Sequence, residues 1–205
     1  MIAALYVESN GTYANLPGVD LWDRERDARL YYGPHSVVAH PPCQLWGKFC
    51  HVNYARWGGE HNRPGNDGGC FEAALASVRK WGGILEHPAF SSAWAKYNLP
   101  RPTVVGDWLR AAPSEYVCEV WQVAYGHKAR KRTWLFYCGT IAPPAMRWDR
   151  PDASHQIGGH DQRGKERNKP TISGKAASAT PTEFRDALLA IAREALIRTS
   201  EASHA

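Results

Sequence analysis

The 205-residue chain lacks any apolar run near the ~20 residues that span a bilayer, so no membrane partner is expected. No secretory leader is expected either: residues 2–7 are apolar, but the stretch is short and has no basic flank. Closely paired cysteines are missing. Cys43, Cys50, Cys70, Cys118 and Cys138 are odd in number and scattered. That excludes a disulfide framework and suits a reduced, cytoplasmic setting. His35, His40, Cys43, Cys50, His51, His61 and Cys70 crowd together in sequence. They lack the paired spacing of a zinc site, and no metal is expected. There is no internal repeat. A strong charge excess is also missing: 25 Lys and Arg against 20 Asp and Glu give +5. This balance suits a polyanionic partner without demanding one.

What the chain does have is aromatic surface, with nine Trp and nine Tyr. Flat apolar rings serve core packing or base stacking. Ile2 to Val7 reads as a buried strand, followed by turn signals at Asn10-Gly11 and Pro17-Gly18. Val19 to Asp23 is a second short apolar and acidic segment, and Ser36 to Ala39 a third strand. Residues 47–69, rich in Gly, Asn, His and Arg, read as a long loop. Phe71, Ala74, Leu75, Val78 and Trp81 recur at helical spacing, which predicts a helix over 70–81 stopped by Gly82-Gly83. Ile84-Leu85-Glu86, Tyr116–Trp121 and Thr133–Tyr137 read as strands. Residues 142–178 are basic and irregular. Thr180, Pro181 and Glu183 form a capping-box signature, with Thr180 at the N-cap of a last helix striped by Phe184, Leu188, Ile191 and Ala195. Strands alternating with helices imply an α/β fold with a mostly parallel sheet, whose ligands bind beyond the strands' carboxyl ends.

Pro41-Pro42-Cys43 is the most informative tripeptide. Two prolines stiffen the backbone behind a cysteine at a strand tip. Glu86 also falls just after a short apolar strand, so both can face one crevice. A thiolate nucleophile needs a lowered pKa, and Arg130, Lys131 and Arg132 could supply positive charge. Glu86 could donate a proton if burial raises its pKa. The plainer readings are an idle thiol, a structural salt bridge and a solvated basic face. Together, a Cys nucleophile, a carboxyl and an Arg pair match attack on C6 of a pyrimidine. That attack makes C5 electron-rich, and a carboxyl gripping N3 and the exocyclic amine favours cytosine.

In segment order the chain resembles the DNA cytosine-5 methyltransferase family. Ala39-His40-Pro41-Pro42-Cys43-Gln44 resembles the family's Gly-Pro-Pro-Cys-Gln loop. Ile84-Leu85-Glu86-His87-Pro88 resembles its Glu-Asn-Val strand end. Arg130-Lys131-Arg132 before Thr133-Trp134-Leu135-Phe136 is similar to its Gln-x-Arg-x-Arg segment. Ser178 to Leu189 resembles the late motif that closes the cofactor pocket. Small proteins encoded by phages and mobile elements look similar too. The resemblance implies a methyltransferase-like, Rossmann-type domain over 1–197, with 142–177 as a basic insert in place of a target-recognition domain and 198–205 as a tail.

It further implies catalytic Cys43, Glu86, Arg130 and Arg132, with Pro41, Pro42 and Gln44 around the base. His40 and His87, each beside a proposed catalytic residue, are expected to line the same pocket. S-adenosylmethionine would be the methyl donor, held by Glu8, Asn10, Gly11, Asp20, Asp23 and Thr180. DNA would be the partner, its target base extruded. The sequence departs from the family at several points. Glu8-Ser9-Asn10-Gly11 is a poor substitute for a Gly-rich loop, His40 replaces glycine, and His87 replaces asparagine. With no room for a reader domain, specificity would be low, come from 47–69, or be supplied by a separate subunit. Two alternatives stay open: a pyrimidine C5 enzyme using another one-carbon donor, and a catalytically silent DNA-binding protein of the same fold.

Overall fold

A computed structural model describes residues 1–158 and 168–195. The expected tail at 198–205, the domain end at 197 and residues 159–167 of the basic insert lie outside the described residues. Four short strands, β1 (Ile2–Leu5), β2 (Val19–Trp22), β3 (Ser36–Ala39) and β4 (Gly83–Pro88), pair in parallel in the order β2-β1-β3-β4. β1 and β3 are apolar or small at every position and buried throughout, as strands covered on both faces must be. Three later strands, β5 (Leu109–Ala112), β6 (Glu115–Trp121) and β7 (Arg132–Cys138), extend the sheet as β4-β7-β6-β5 with antiparallel pairing. Five of the seven strands therefore point one way, and the reversal comes with the hairpin-like β6–β7 connection, which needs no crossover helix.

Helices cover both faces. α1 (Cys50–Trp57) projects from the loop after β3, whereas α2 (Cys70–Trp81) and α3 (Ser92–Lys96) pack on one face. There Phe71, Ala74, Leu75, Val78 and Trp94 meet Leu5, Val37, Leu85, Trp134 and Phe136. A pair of two-residue strands, β8 (Gln156–Ile157) and β9 (Thr171–Ile172), precedes α4 (Gly174–Ser178) and α5 (Thr182–Glu194). α5 covers the opposite face, where Phe184, Leu188, Ile191 and Ala192 meet Ile2, Val38, Ile84 and Leu135. Consecutive strand residues fall in opposite clusters because strand side chains alternate. Ser36 ties β3 to α5 by donating its hydroxyl to the Ala192 carbonyl at 2.7 Å.

Three local expectations change. Residues 47–69 are not only loop, since they hold α1 and a 3-10 turn at Glu60–Asn62. β5 lies in a stretch where no strand was expected. Thr180 is not the cap of α5: Pro181 occupies the N-cap, extended at ψ 148°, and no side-chain cap bond forms. Glu183 pairs instead with Arg147 from the preceding segment.

Gly83 starts β4 with φ +126°, and a Cβ there would lie 1.9 Å from the Val37 carbonyl oxygen. Gly83→Ala is expected to destabilise the fold by about 3 kcal/mol or more. Urea unfolding checks this, and a midpoint equal to wild type would contradict the β3–β4 approach.

Candidate active site

A cleft of about 1260 Å³ opens at the carboxyl ends of β1, β3 and β4. The chain goes from β1 outward to β2 and then back across β1 to β3, so strand order reverses between β1 and β3. Ligands bind at such a switch point in open α/β sheets. One wall is the loop after β1, including Glu8, Gly11, Thr12 and Tyr13. The floor is His40, Pro41, Pro42, Cys43 and Gln44 from the end of β3, with Glu86 from β4. Opposite stand Trp121, Arg130, Lys131 and Arg132 at the β6–β7 ends. The segment from Gly174 to Thr180 closes the side.

Most of the residues expected at the site are therefore brought together. Cys43, Glu86, Arg130, Arg132, Pro41, Pro42, Gln44, His40, Glu8, Gly11 and Thr180 all line the cleft, and four are not among its walls. Asn10 is exposed in the β1–β2 loop. Asp20 is engaged by Arg26 at 2.7 Å and by the Trp22 indole at 2.8 Å. Asp23 accepts the backbone N–H groups of Glu25 and Arg26, each at 3.0 Å. His87 faces the other side of the sheet, one strand position past Glu86, where it packs edge-on to Phe71 and stacks on Trp94. Strand alternation forbids both from reaching the same cleft.

Glu86 is 7% exposed and lies at the centre of a hydrogen-bond chain. Its Oε2 is 3.1 Å from His40 Nδ1, and His40 Nε2 is 2.9 Å from the Tyr13 hydroxyl. Its Oε1 accepts from Gln122 Nε2 at 3.0 Å, and Gln122 also donates to Thr133 Oγ1 at 2.9 Å. Burial disfavours the Glu86 charge, but Lys131 and the His40 hydrogen bond outweigh it, so the carboxyl sits well below its ordinary range. The resting group is thus an ionised acceptor, not the proton donor expected from burial. Cys43 goes the other way. Burial first, then the Glu86 charge, push its thiol above the ordinary value, and Lys131 offsets this only in part. The resting thiol carries its proton, contrary to the lowered pKa a reactive thiolate was expected to need.

The Arg pair stands at the rim in ion pairs. Arg130 is 2.9 Å from Asp152, and Arg132 is 2.7 Å from Glu119, with its guanidinium 4.5 Å from the Phe90 ring centre. The cation acting on both Glu86 and Cys43 is Lys131, whose Nζ also donates to the Ser178 carbonyl at 2.9 Å. The sequence offered all three members of the basic run as sources of charge, but the catalytic roles were expected of Arg130 and Arg132 rather than of Lys131. Tyr13 and Gln122 carried no motif at all, and Thr133 entered only as the start of a strand. Among the described residues, no three His, Cys, Asp or Glu side chains gather as metal ligands.

The flat rings divide between core and surface: Trp46 and Trp94 are core residues, whereas Trp57 is 68% exposed. Trp46 donates its indole N–H to Asp67 at 2.9 Å, and Gly65 N–H donates to the Leu45 carbonyl at 2.8 Å. These bonds staple the base of the 47–69 arm and leave α1 outside, with Cys50 its only buried residue. No helix among the described residues is long and apolar enough to cross a membrane. No protein-family model, curated protein or solved structure matches the chain.

His87 is pushed down to about 4 from 6.5, by burial first and against the pull of the Glu86 charge. The unfolded chain therefore binds the extra proton between these values, and stability falls as pH drops through that window. The loss is roughly 3 kcal/mol by pH 4. Stability measured by denaturant unfolding from pH 7 to 4 should flatten in His87→Leu. An unchanged slope would show that His87 is not the group responsible.

Proposed function

We propose that this protein modifies cytosine in DNA at C5 through a covalent adduct between Cys43 and ring C6, most simply as an S-adenosylmethionine-dependent methyltransferase. One observation carries the reading: Cys43 and an ionised Glu86 project from the adjacent ends of β3 and β4 into one cleft. The charge states give a balanced first step. A cytosine with C6 at Cys43 presents N3 and its amino group to Glu86. The Sγ–C6 bond forms as the C5=C6 electron pair shifts toward C5 and the ring nitrogens. The thiol proton passes by way of the Glu86 carboxylate to N3. Glu86 begins and ends ionised, so it relays a proton that Cys43 supplied. Once C5 is substituted, its proton is lost to water, the freed electron pair re-forms the double bond and expels the thiolate, and the N3 proton returns to sulfur by way of Glu86.

When bound, S-adenosylmethionine supplies an electrophilic methyl group. Its amino-acid end fits two residues at the mouth of the cleft. Glu8 and Lys175 face each other at 2.8 Å, with side chains 61% and 78% exposed. An exposed ion pair is weak, so its carboxylate and ammonium can turn to a ligand's ammonium and carboxylate. The engagement of Asp20 and Asp23 elsewhere favours a second reading of the same chemistry, with a different one-carbon donor. Support for DNA as partner comes from the arm after Cys43. From Gln44 to Gly59 there is no acidic residue, while Lys48, His51 and Arg56 alternate with exposed Phe49, Tyr54 and Trp57. Cations for phosphates and rings for bases are what nucleic-acid surfaces require.

DNA carrying 5-fluorocytosine should trap the protein covalently in the presence of S-adenosylmethionine, visible on a denaturing gel. Cys43→Ser should abolish the adduct, and Glu86→Gln should slow it by about 100-fold or more. DNA binding without any adduct would leave only a silent binding protein. Nucleoside mass spectrometry of DNA from expressing cells identifies the added group, and calorimetric silence toward S-adenosylhomocysteine would point to another donor. Trp57→Ala should weaken DNA binding by about 1–3 kcal/mol, read by fluorescence anisotropy.

A further inference from the structure

We propose that His40, clamped between Tyr13 and Glu86, is the positioning residue that fixes the Glu86 carboxylate as an acceptor facing the base edge. This deepens the cytosine reading above and rests on it for the identity of the base. In the family that the chain resembles, glycine stands at this position, so the device belongs to this chain.

Both ends of the clamp are anchored. His40 N–H donates to the Leu5 carbonyl at 3.1 Å, which pins its backbone to β1 just before the stiff Pro41-Pro42 pair. Tyr13 is 3% exposed, with its ring centre 5.4 Å from that of His40. The loop carrying Tyr13 is held by Arg185 of α5, which donates to the Thr12 carbonyl at 2.7 Å. An ionised carboxylate only accepts hydrogen bonds, so His40 Nδ1 donates to Oε2, and in the neutral ring Nε2 accepts from the Tyr13 hydroxyl. Burial, followed by the Glu86 charge, keeps the Tyr13 proton in place. Gln122 donates to the other oxygen at 3.0 Å. With one fixed donor on each oxygen, the carboxylate plane cannot rotate, and its remaining lone pairs stay available to the cleft. The other titratable groups acting on Glu86, or acted on by it, are Lys131, His87, Cys43 and His127. Of these, Lys131 helps hold it ionised alongside His40, and His87 does so only in acid, once its ring is protonated.

The test uses the protein alone, labelled with 13C at glutamate carboxyls. The Glu86 resonance is assigned by its loss in Glu86→Gln. Its titration midpoint should rise in His40→Ala, rise less in Tyr13→Phe, and return toward wild type in His40→Gln, whose amide keeps a donor. Thermal unfolding confirms that each variant folds. If His40→Ala does not, Tyr13→Phe carries the test. A wild-type midpoint in whichever of these folds would overturn the proposal. In fluorocytosine trapping, His40→Ala should slow adduct formation by about tenfold or more and move the acid limb of the rate–pH profile to higher pH. A slower rate with an unmoved limb would overturn the positioning role. Midpoint shifts as expected, with no adduct from wild type, would sustain the His40 role and refute the cytosine chemistry.

Discussion

A carboxylate removed from water keeps its charge only if donors and cations surround it. Glu86 meets that condition with groups from four places in the chain: His40 after β3, Gln122 after β6, Lys131 before β7, and Tyr13 acting through His40. None of these could reach it unless β3, β4 and β7 were neighbours in that order. The sheet's change from parallel to antiparallel pairing at β4–β7 is therefore more than a topological detail. It brings the amino end of β7, with its basic run, to the same edge as the carboxyl ends of β1, β3 and β4. A parallel strand in that place would present its carboxyl end instead, and Lys131 would leave the site.

The same charge shapes its neighbour. Glu86 helps hold the Cys43 thiol in its protonated form, so the resting cleft stores a proton on sulfur next to an empty carboxylate. A thiolate stabilised in advance would attack faster, but it would also be exposed to oxidants and alkylating agents. A thiol that loses its proton only when a ring nitrogen is present to receive it couples nucleophile activation to substrate binding. On the cytosine reading this is a source of selectivity. Thymine and uracil carry their own proton at N3 and an oxygen where cytosine has an amino group. Their N3 cannot take the Cys43 proton, and although that N3–H can donate to Glu86, the neighbouring oxygen sets an acceptor against an acceptor-only carboxylate.

Much of this site was legible because it lies at strand ends marked by local chemistry. Pro41-Pro42 announced a stiff turn, and Glu86 followed a short apolar run, so their meeting in one crevice follows from fold class alone. What could not be read was direction. Glu86 and His87 are adjacent letters with opposite orientations, and only the sheet's two covered faces decide which one sees the cleft. Net effects were hidden too. Burial alone would have raised Glu86, and the reversal depends on Lys131 and on His40, a residue that in sequence is simply a departure from glycine. The missed helix α1 is explained by its environment. With only Cys50 buried, it shows no apolar face opposite a polar one, so periodicity gives no signal. Asp20 and Asp23 show the limit of reading acidic residues near a strand end: Arg26 and a turn engage them before any ligand can.

The arm that carries α1 bears on how such a small protein would read DNA. The Trp46–Asp67 bond ties the arm's base, while Asp67 also accepts the N–H groups of Gly69 and Phe71 at the start of α2. One aspartate thus fixes the root of the arm to a helix whose Phe71 is wholly buried. The arm begins immediately after Cys43 and places Lys48 in the cleft wall, so whatever α1 touches is held at the mouth of the cleft that Cys43 lines. On the DNA reading, contacts made there through cations and stacking rings would favour an unstacked or extruded base without naming its neighbours. Residues 142–158 and 168–177 hold only two two-residue strands and most of the short α4, with no independent core. On the proposed function, then, base identity is read chemically at Glu86, while α1 supplies affinity. Target-sequence choice would be weak unless a second chain provides it.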